Sequence, residues 1–245
     1  MRENPFAEGT AKPPERVGNP FAEQAEAAFR QFVTRPEFPC LGAKAALNAE
    51  ACSLRVFGEL GGGEATTSLA RALYEFTAPD LRSASEYATF VAIFEGPREL
   101  DEMEFEELFW RQLRALHQFD AANYDWDPNV RSDPADPHFS FSFGGKALYV
   151  IGMHAHSSRE ARRFPWPTLV FNPHEQFERL RSDGKWKRMQ DTIRSRDLAL
   201  QGSTNPMLSD FGVQSEARQY SGRAVEENWR APFPKVERKC PFAHG

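Results

Sequence analysis

The stretch from His138 to Gly152 constrains this chain more than any other. Phe139, Phe141 and Phe143 alternate with Ser140 and Ser142, a Gly144-Gly145 pair follows, and residues 147–152 are almost wholly apolar. Side chains on a strand alternate with period two, so the phenylalanines are expected on one face and the serines on the other. The glycines supply the turn, and the apolar return run predicts an interior strand. Such a hairpin needs flat apolar surface to cover it. The composition supplies that surface, with 21 Phe against 5 Trp and 5 Tyr in 245 residues and a 40% hydrophobic content ordinary for a globular domain.

The rest of the chain reads as helices and further strands. Asn4-Pro5-Phe6-Ala7-Glu8 returns as Asn19-Pro20-Phe21-Ala22-Glu23. The second copy predicts a helix start, with Asn19 as N-cap, Pro20 in the first turn and Glu23 folding back as in a capping box. Residues 35–42, with two prolines, read as an extended turn before a short helix over 44–48. Residues 54–58 and 87–94 read as strands, and 67–76 as a helix. Asp101 and Glu104 have capping-box spacing and open a helix to about residue 119. Residues 168–171 form a further strand, followed by helices from 172 to 181 and from 186 to 200. Hairpin strands mixed with helices, without regular βαβ alternation, predict one α+β domain. Its expected extent is 20–233, between a flexible N-terminal arm (1–19) and a C-terminal tail (234–245).

A net charge of −5 argues against broad nucleic-acid binding, which draws on excess positive charge. No run approaches the roughly 18 apolar residues that span a bilayer, and the N-terminus lacks a signal peptide's apolar core. A cytoplasmic protein with no nucleic-acid or membrane partner is expected. Cys40, Cys52 and Cys240 are few and form no CxxC pair, so neither a disulfide framework nor a structural zinc site is indicated. Cys40 reads as a small buried hydrophobe, and Cys240-Pro241 as part of the tail.

Chemistry concentrates directly after the return strand, in residues 153–164. If the strand continues, His154 and His156 share a side, which suits a metal pair or, with one imidazole alone, a haem iron. Arg159, Arg162 and Arg163 would then match carboxylates such as haem propionates. A strand end carrying solvated His and Arg fits the same spacing equally well. His174 opens a helix, where the dipole keeps imidazole neutral, and is a reserve candidate for a ligand or proton donor. Asp197, Gln201, Asn205 and Glu216 read either as surface loops or as a polar pocket for a cationic substrate.

Several long motifs carry a family resemblance: Phe38-Pro39-Cys40-Leu41-Gly42-Ala43-Lys44, Phe90-Val91-Ala92-Ile93-Phe94-Glu95-Gly96-Pro97, Asp136-Pro137-His138-Phe139-Ser140-Phe141-Ser142-Phe143, Leu169-Val170-Phe171-Asn172-Pro173-His174-Glu175-Gln176-Phe177 and Gln201-Gly202-Ser203-Thr204-Asn205-Pro206-Met207. Over roughly residues 38–233 the chain resembles the YqcI/YcgG family, and within it the haem-dependent N-hydroxylases associated with guanitoxin biosynthesis. The resemblance implies an oxygen-activating enzyme with haem b, acting on a guanidine or amine and fed by an external electron donor. A homodimer is the candidate assembly. Where the branch carries Trp-Arg-Cys-Pro-Phe, this chain has Trp229-Arg230-Ala231-Pro232-Phe233, which favours histidine over cysteine as iron ligand. Matching His156-Ser157-Ser158-Arg159-Glu160-Ala161-Arg162 to the family's His-x-x-Arg-x-x-Arg pattern makes His156 the expected ligand, with His154 distal or hydrogen-bonding. Arg159 and Arg162 are expected near the propionates, Phe141 and Phe143 against the macrocycle, and Asp197 and Glu216 at the guanidinium. The alternatives are a non-haem metalloenzyme, using His154 and His156 with His138 or His174, and a haem sensor or carrier with Cys240 as redox contact.

Overall fold

The Phe-rich hairpin forms one edge of a five-stranded mixed sheet in the computed structural model, which describes residues 19–78 and 87–235. The first Asn-Pro-Phe copy and Cys240 lie outside the described residues. In chain order the elements are α1 (Pro20–Thr34), α2 (Leu41–Asn48), β1 (Cys52–Glu59), α3 (Gly63–Thr77), β2 (Thr89–Gly96), α4 (Glu102–Asp120), β3 (Phe141–Phe143), β4 (Lys146–Met153), a 3-10 turn (Glu160–Arg162), β5 (Thr168–Pro173), α5 (His174–Ser182), α6 (Trp186–Gln201) and α7 (Ala217–Tyr220). The strand order is β1-β2-β5-β4-β3. The β1/β2 pair is parallel and the other pairs are antiparallel, which makes this an α+β fold.

The helix caps follow from the local sequence. Asn19 Oδ1 accepts from the backbone N–H groups of Phe21 and Ala22 at 3.0 and 3.4 Å. Glu23 does not complete a box there: its N–H donates to the Asn19 carbonyl as the first helical bond, because it stands one position beyond the residue that could reach back. The Asp101/Glu104 box is complete. α2 starts at Leu41, three residues before the expected start, because Cys40 caps it, its Sγ accepting from Ala43 N–H at 3.4 Å.

The sheet separates two apolar clusters. On one face α3 and α4 pack Leu69, Leu73, Phe105 and Phe109 over Phe90, Phe94, Leu148 and Phe171, and Phe139, Phe141 and Phe143 belong to this cluster. On the other face α1 packs Phe29, Phe32 and Val33 over Leu54, Val91, Ile93 and Val170. Burial is thus complete on both sides of β3, and the expected polar face is absent: Ser140 and Ser142 are as buried as the phenylalanines, and Ser142 Oγ accepts from Asp127 N–H at 2.9 Å.

A second departure concerns the histidines. β4 ends at Met153, and His154 N–H turns to the Arg162 carbonyl at 3.1 Å while Ser157 N–H closes a turn onto His154. The period-two alternation therefore stops before it can pair His154 with His156. Where β4 meets α4, only glycine fits at 152: a Cβ there would lie 2.7 Å from Phe105 Cε1 and 3.1 Å from Phe109 Cδ2. Gly152→Ala is expected to lower stability by about 1–3 kcal/mol through overpacking. The check is the urea midpoint at unchanged m-value, and a wild-type midpoint would show that α4 can withdraw from the strand.

Candidate functional site

On the α1/α2 face the helices do not close onto the sheet, and about 1350 Å³ of empty space remains, counting its mouth. The floor is the outward side of β4 and β5, with Ile151, Met153 and Val170. α1, the turn after it and α2 contribute Phe29, Phe38 and Leu47 respectively, and α6 roofs the space with Met189 and Ile193. A largely apolar pocket with a few polar groups is the usual form of a small-molecule or cofactor site.

Cys40 is the polar group that the α1–α2 turn brings to this wall. Pro36 follows the end of α1, and Pro39 leads the chain extended into Cys40 at the N-cap of α2, where its sulfur takes the Ala43 N–H. The thiol's pKa is raised on balance, because burial outweighs the opposing hydrogen bonds from Ala43 and Gly42 and the charge of Arg162. Cys52 also lines the space, and burial drives its thiol up to about 12, so it is an inert thiol at neutral pH.

Arg159 and Arg162 reach the same wall. Arg159 is 8% exposed and pairs with Asp197 at 2.5 Å, with further bonds to the Ser203 carbonyl at 2.9 Å and Ser203 Oγ at 3.2 Å. Asp197 also accepts Asn205 N–H at 3.1 Å. Its charge is therefore matched within the protein and is not free for a substrate cation. Arg162 donates instead to the uncharged carbonyls of Tyr220 and Gly152, at 2.9 and 3.3 Å.

A second chamber of about 760 Å³ shares Tyr149, Phe177, Ile193 and Leu208 with the first. His174, Arg181, Arg194 and Glu216 line it. Burial pushes Glu216 up to about 8, and Tyr220 Oη donates to it at 2.5 Å. Near neutral pH the carboxyl is mostly protonated, which removes the anion that a guanidinium would need. Burial lowers the His174 pKa, so its imidazole stays neutral, in line with its position at the start of α5.

The remaining expected site residues lie elsewhere. His156 lines neither chamber: its side chain is 53% exposed, with Nδ1 3.0 Å from the Leu100 carbonyl and Nε2 3.8 Å from Glu99. His154 is buried and stacks on the Phe105 ring at 4.4 Å, on the far side of β4 from the cavity, and burial lowers its pKa. Phe141 and Phe143 are wholly buried in the α3/α4 core and line neither chamber, because the alternation that faces them inward turns them from the open side of the sheet. Among the described residues, no three His, Cys, Asp or Glu side chains gather as a metal-ligand group. No described helix is long and apolar enough to cross a membrane. Cys40, read from the sequence as a small buried hydrophobe, proves also to cap α2 and to line the cavity; the available signal was its place after Phe38-Pro39 and ahead of a helix.

A sequence model of the YqcI/YcgG family matches residues 29–234. The chain is 29% identical over 216 residues to the Bacillus subtilis (strain 168) protein named "Uncharacterized protein YcgG", covering 84% of this chain and 81% of that one. It is 29% identical over 211 residues to "Uncharacterized protein YqcI" of the same strain, covering 82% of each. No solved structure matches.

Asp197→Leu leaves the buried Arg159 charge uncompensated and is expected to cost about 3–5 kcal/mol, most of it recovered in Arg159→Met/Asp197→Leu. Equal melting of the single and double variants would contradict this. For Glu216 the folded-state pKa lies above the ordinary 4.5. Below that value the group is neutral in both states, and as the pH climbs towards about 8 only the unfolded chain ionises, so stability is lost across that window. The melting advantage of Glu216→Gln over wild type is therefore expected to grow from acidic pH to about pH 8, and a pH-independent difference would contradict the burial argument.

Proposed function

Since the chain belongs to the YqcI/YcgG family, we propose that it is a haem-dependent N-oxygenase that hydroxylates a nitrogen of a guanidine- or amine-containing small molecule, with haem b in the larger cavity and Cys40 as iron ligand. One observation carries this reading: Cys40, whose sulfur accepts a helix N-terminal N–H, lines a large apolar cavity that also receives Arg162. Burial keeps the free Cys40 thiol protonated, the backbone donors and the positive end of the helix oppose that, and coordination to a metal would remove the proton. A thiolate is one of the ligands that hold haem iron for oxygen activation.

The donor set fits such a group. Flat apolar walls from Phe29, Phe38 and Phe177 suit a macrocycle, and the charge of Arg162, unmatched by any carboxylate in its hydrogen bonds, suits a propionate. Haem would supply oxygen activation, with two electrons from an external donor and two protons turning N–H and dioxygen into N–OH and water. The protein's own part is to exclude bulk water with the α6 roof, to hold the sulfur by the Ala43 N–H, and to keep Asp197 neutralised by Arg159. His156, favoured by the sequence pattern, gives way to Cys40 because it does not line the cavity.

The test is the absorption spectrum of the haem-reconstituted protein, ferric and ferrous-CO. Cys40→Ser is expected to lose the thiolate signature, while His156→Ala and Cys240→Ala keep it. Loss in His156→Ala with retention in Cys40→Ser would overturn the ligand assignment. A thiolate spectrum with no N-hydroxylated product from a guanidine and amine panel, under oxygen and reductant, would make the protein a haem sensor or carrier instead.

A further inference from the structure

The two edges of the sheet differ. β3 is only three residues long, and the loop before it lies against the strand, with Asp127 N–H on Ser142 Oγ at 2.9 Å. β1 forms the opposite edge over eight residues, Cys52–Glu59, and pairs with β2 at one register from Cys52↔Thr89 to Glu59↔Gly96. Edge strands are commonly protected by shortness, proline, lysine or a bulge. β1 has none of these. The phase of its free backbone groups follows from one bond. The Ala51 carbonyl accepts from Thr89 N–H at 3.0 Å, so the odd-numbered residues turn their N–H and C=O groups to β2 and the even-numbered ones turn theirs outward. Among the described residues, no strand or loop bonds to the outward groups of Leu54, Val56 and Gly58. A Cβ at Gly58 would meet nothing within 4 Å, so the edge is uncovered there. Arg55 and Glu59 are exposed, and neither makes an ion pair among the described residues.

These two charges lie symmetrically about Phe57. We propose that β1 is a self-association surface, on which a second copy of this chain adds its own β1 antiparallel across a twofold axis at Phe57, joining the two sheets into one. In that register Arg55 of each copy stands opposite Glu59 of the other. Val56 and Gly58 exchange the backbone bonds across the axis, because both turn outward. Arg55 and Glu59 then fall in a non-hydrogen-bonded pair, whose Cα atoms lie about 4.5 Å apart and whose side chains are nearest. A twofold contact requires a surface that is complementary to itself, and a positive-to-negative order read in reverse on the opposing strand meets that condition. A slip of two residues in either direction sets Arg55 opposite Phe57 or Gly61 and loses both ion pairs. The pairing is independent of what the cavity holds.

Sedimentation equilibrium of the full chain over the micromolar range reads the association directly. Wild type is expected to be dimeric. Arg55→Glu sets carboxylates opposite one another and is expected to raise the dimer dissociation constant about tenfold or more, as is Glu59→Arg, which sets guanidinium against guanidinium. Arg55→Glu/Glu59→Arg restores opposite charges and is expected to return close to the wild-type constant. Gly58→Pro removes an outward N–H from an edge position, where proline is tolerated, and is expected to be monomeric. Circular dichroism reads the fold of each variant; were Gly58→Pro unfolded, the charge cycle, which alters exposed residues alone, carries the test. A monomeric wild type overturns the proposal. So does a wild-type dimer that Arg55→Glu leaves intact, or one that the double variant fails to restore, since either result places the contact on another surface.

Discussion

The buried ion pair between Arg159 and Asp197, with Gln201 accepting from Glu160 N–H at 2.7 Å and donating to the Ser158 carbonyl at 3.1 Å, ties α6 to the turn after β4 and so makes a cavity between them. α6 buries a single residue, and that residue is Asp197. Its inner side faces empty space through Met189 and Ile193, and its apolar contact with α5 is made at its first residue, where Trp186 meets Phe177 edge to face at 5.8 Å. Ser203 and Asn205 complete the polar shell of the pair from the segment that follows the helix. Two buried charges are a weak source of net stability, since desolvation offsets most of their attraction. What they fix here is position, holding the roof over the turn that carries Arg159.

The same sheet serves two purposes on its two faces. Towards α4 it is packed so tightly at β4 that Gly152 cannot accept a methyl group. Towards α1 and α2 the packing is dense only around Phe29, Phe32 and Phe164, whose rings meet edge to face at 5.4–5.5 Å, and it opens between Cys40 and α6. Keeping the closed face rigid lets the open face hold a cavity with defined walls, because strands β4 and β5 are common to both.

Much of the architecture was legible in the sequence because its signals are local. Caps at Asn19 and Asp101, the Gly144-Gly145 turn and the apolar stripe of α4 each act within a few residues, and the family motifs span most of the chain. The site was less legible. A two-residue spacing of His154 and His156 implies a shared face only while the strand lasts, and the bond from His154 N–H to the Arg162 carbonyl ends it. Phe141 and Phe143 read correctly as inward-facing, but which of two inward faces holds the cavity depends on where α3 and α4 pack. Cys40 was read by the burial habit of cysteine, which carries no information about the space its sulfur faces. Asp197 and Glu216 were recognised as polar groups needing partners, and their partners proved to be Arg159 and Tyr220 within the protein.

The central claim is that the cavity beside Cys40 holds an iron porphyrin through sulfur. X-ray absorption at the iron edge of the haem-reconstituted wild-type protein tests it most directly, because it reads the atoms bound to iron without any substitution. One sulfur scatterer at bonding distance alongside the porphyrin nitrogens is predicted. A first shell of nitrogen and oxygen alone would contradict it.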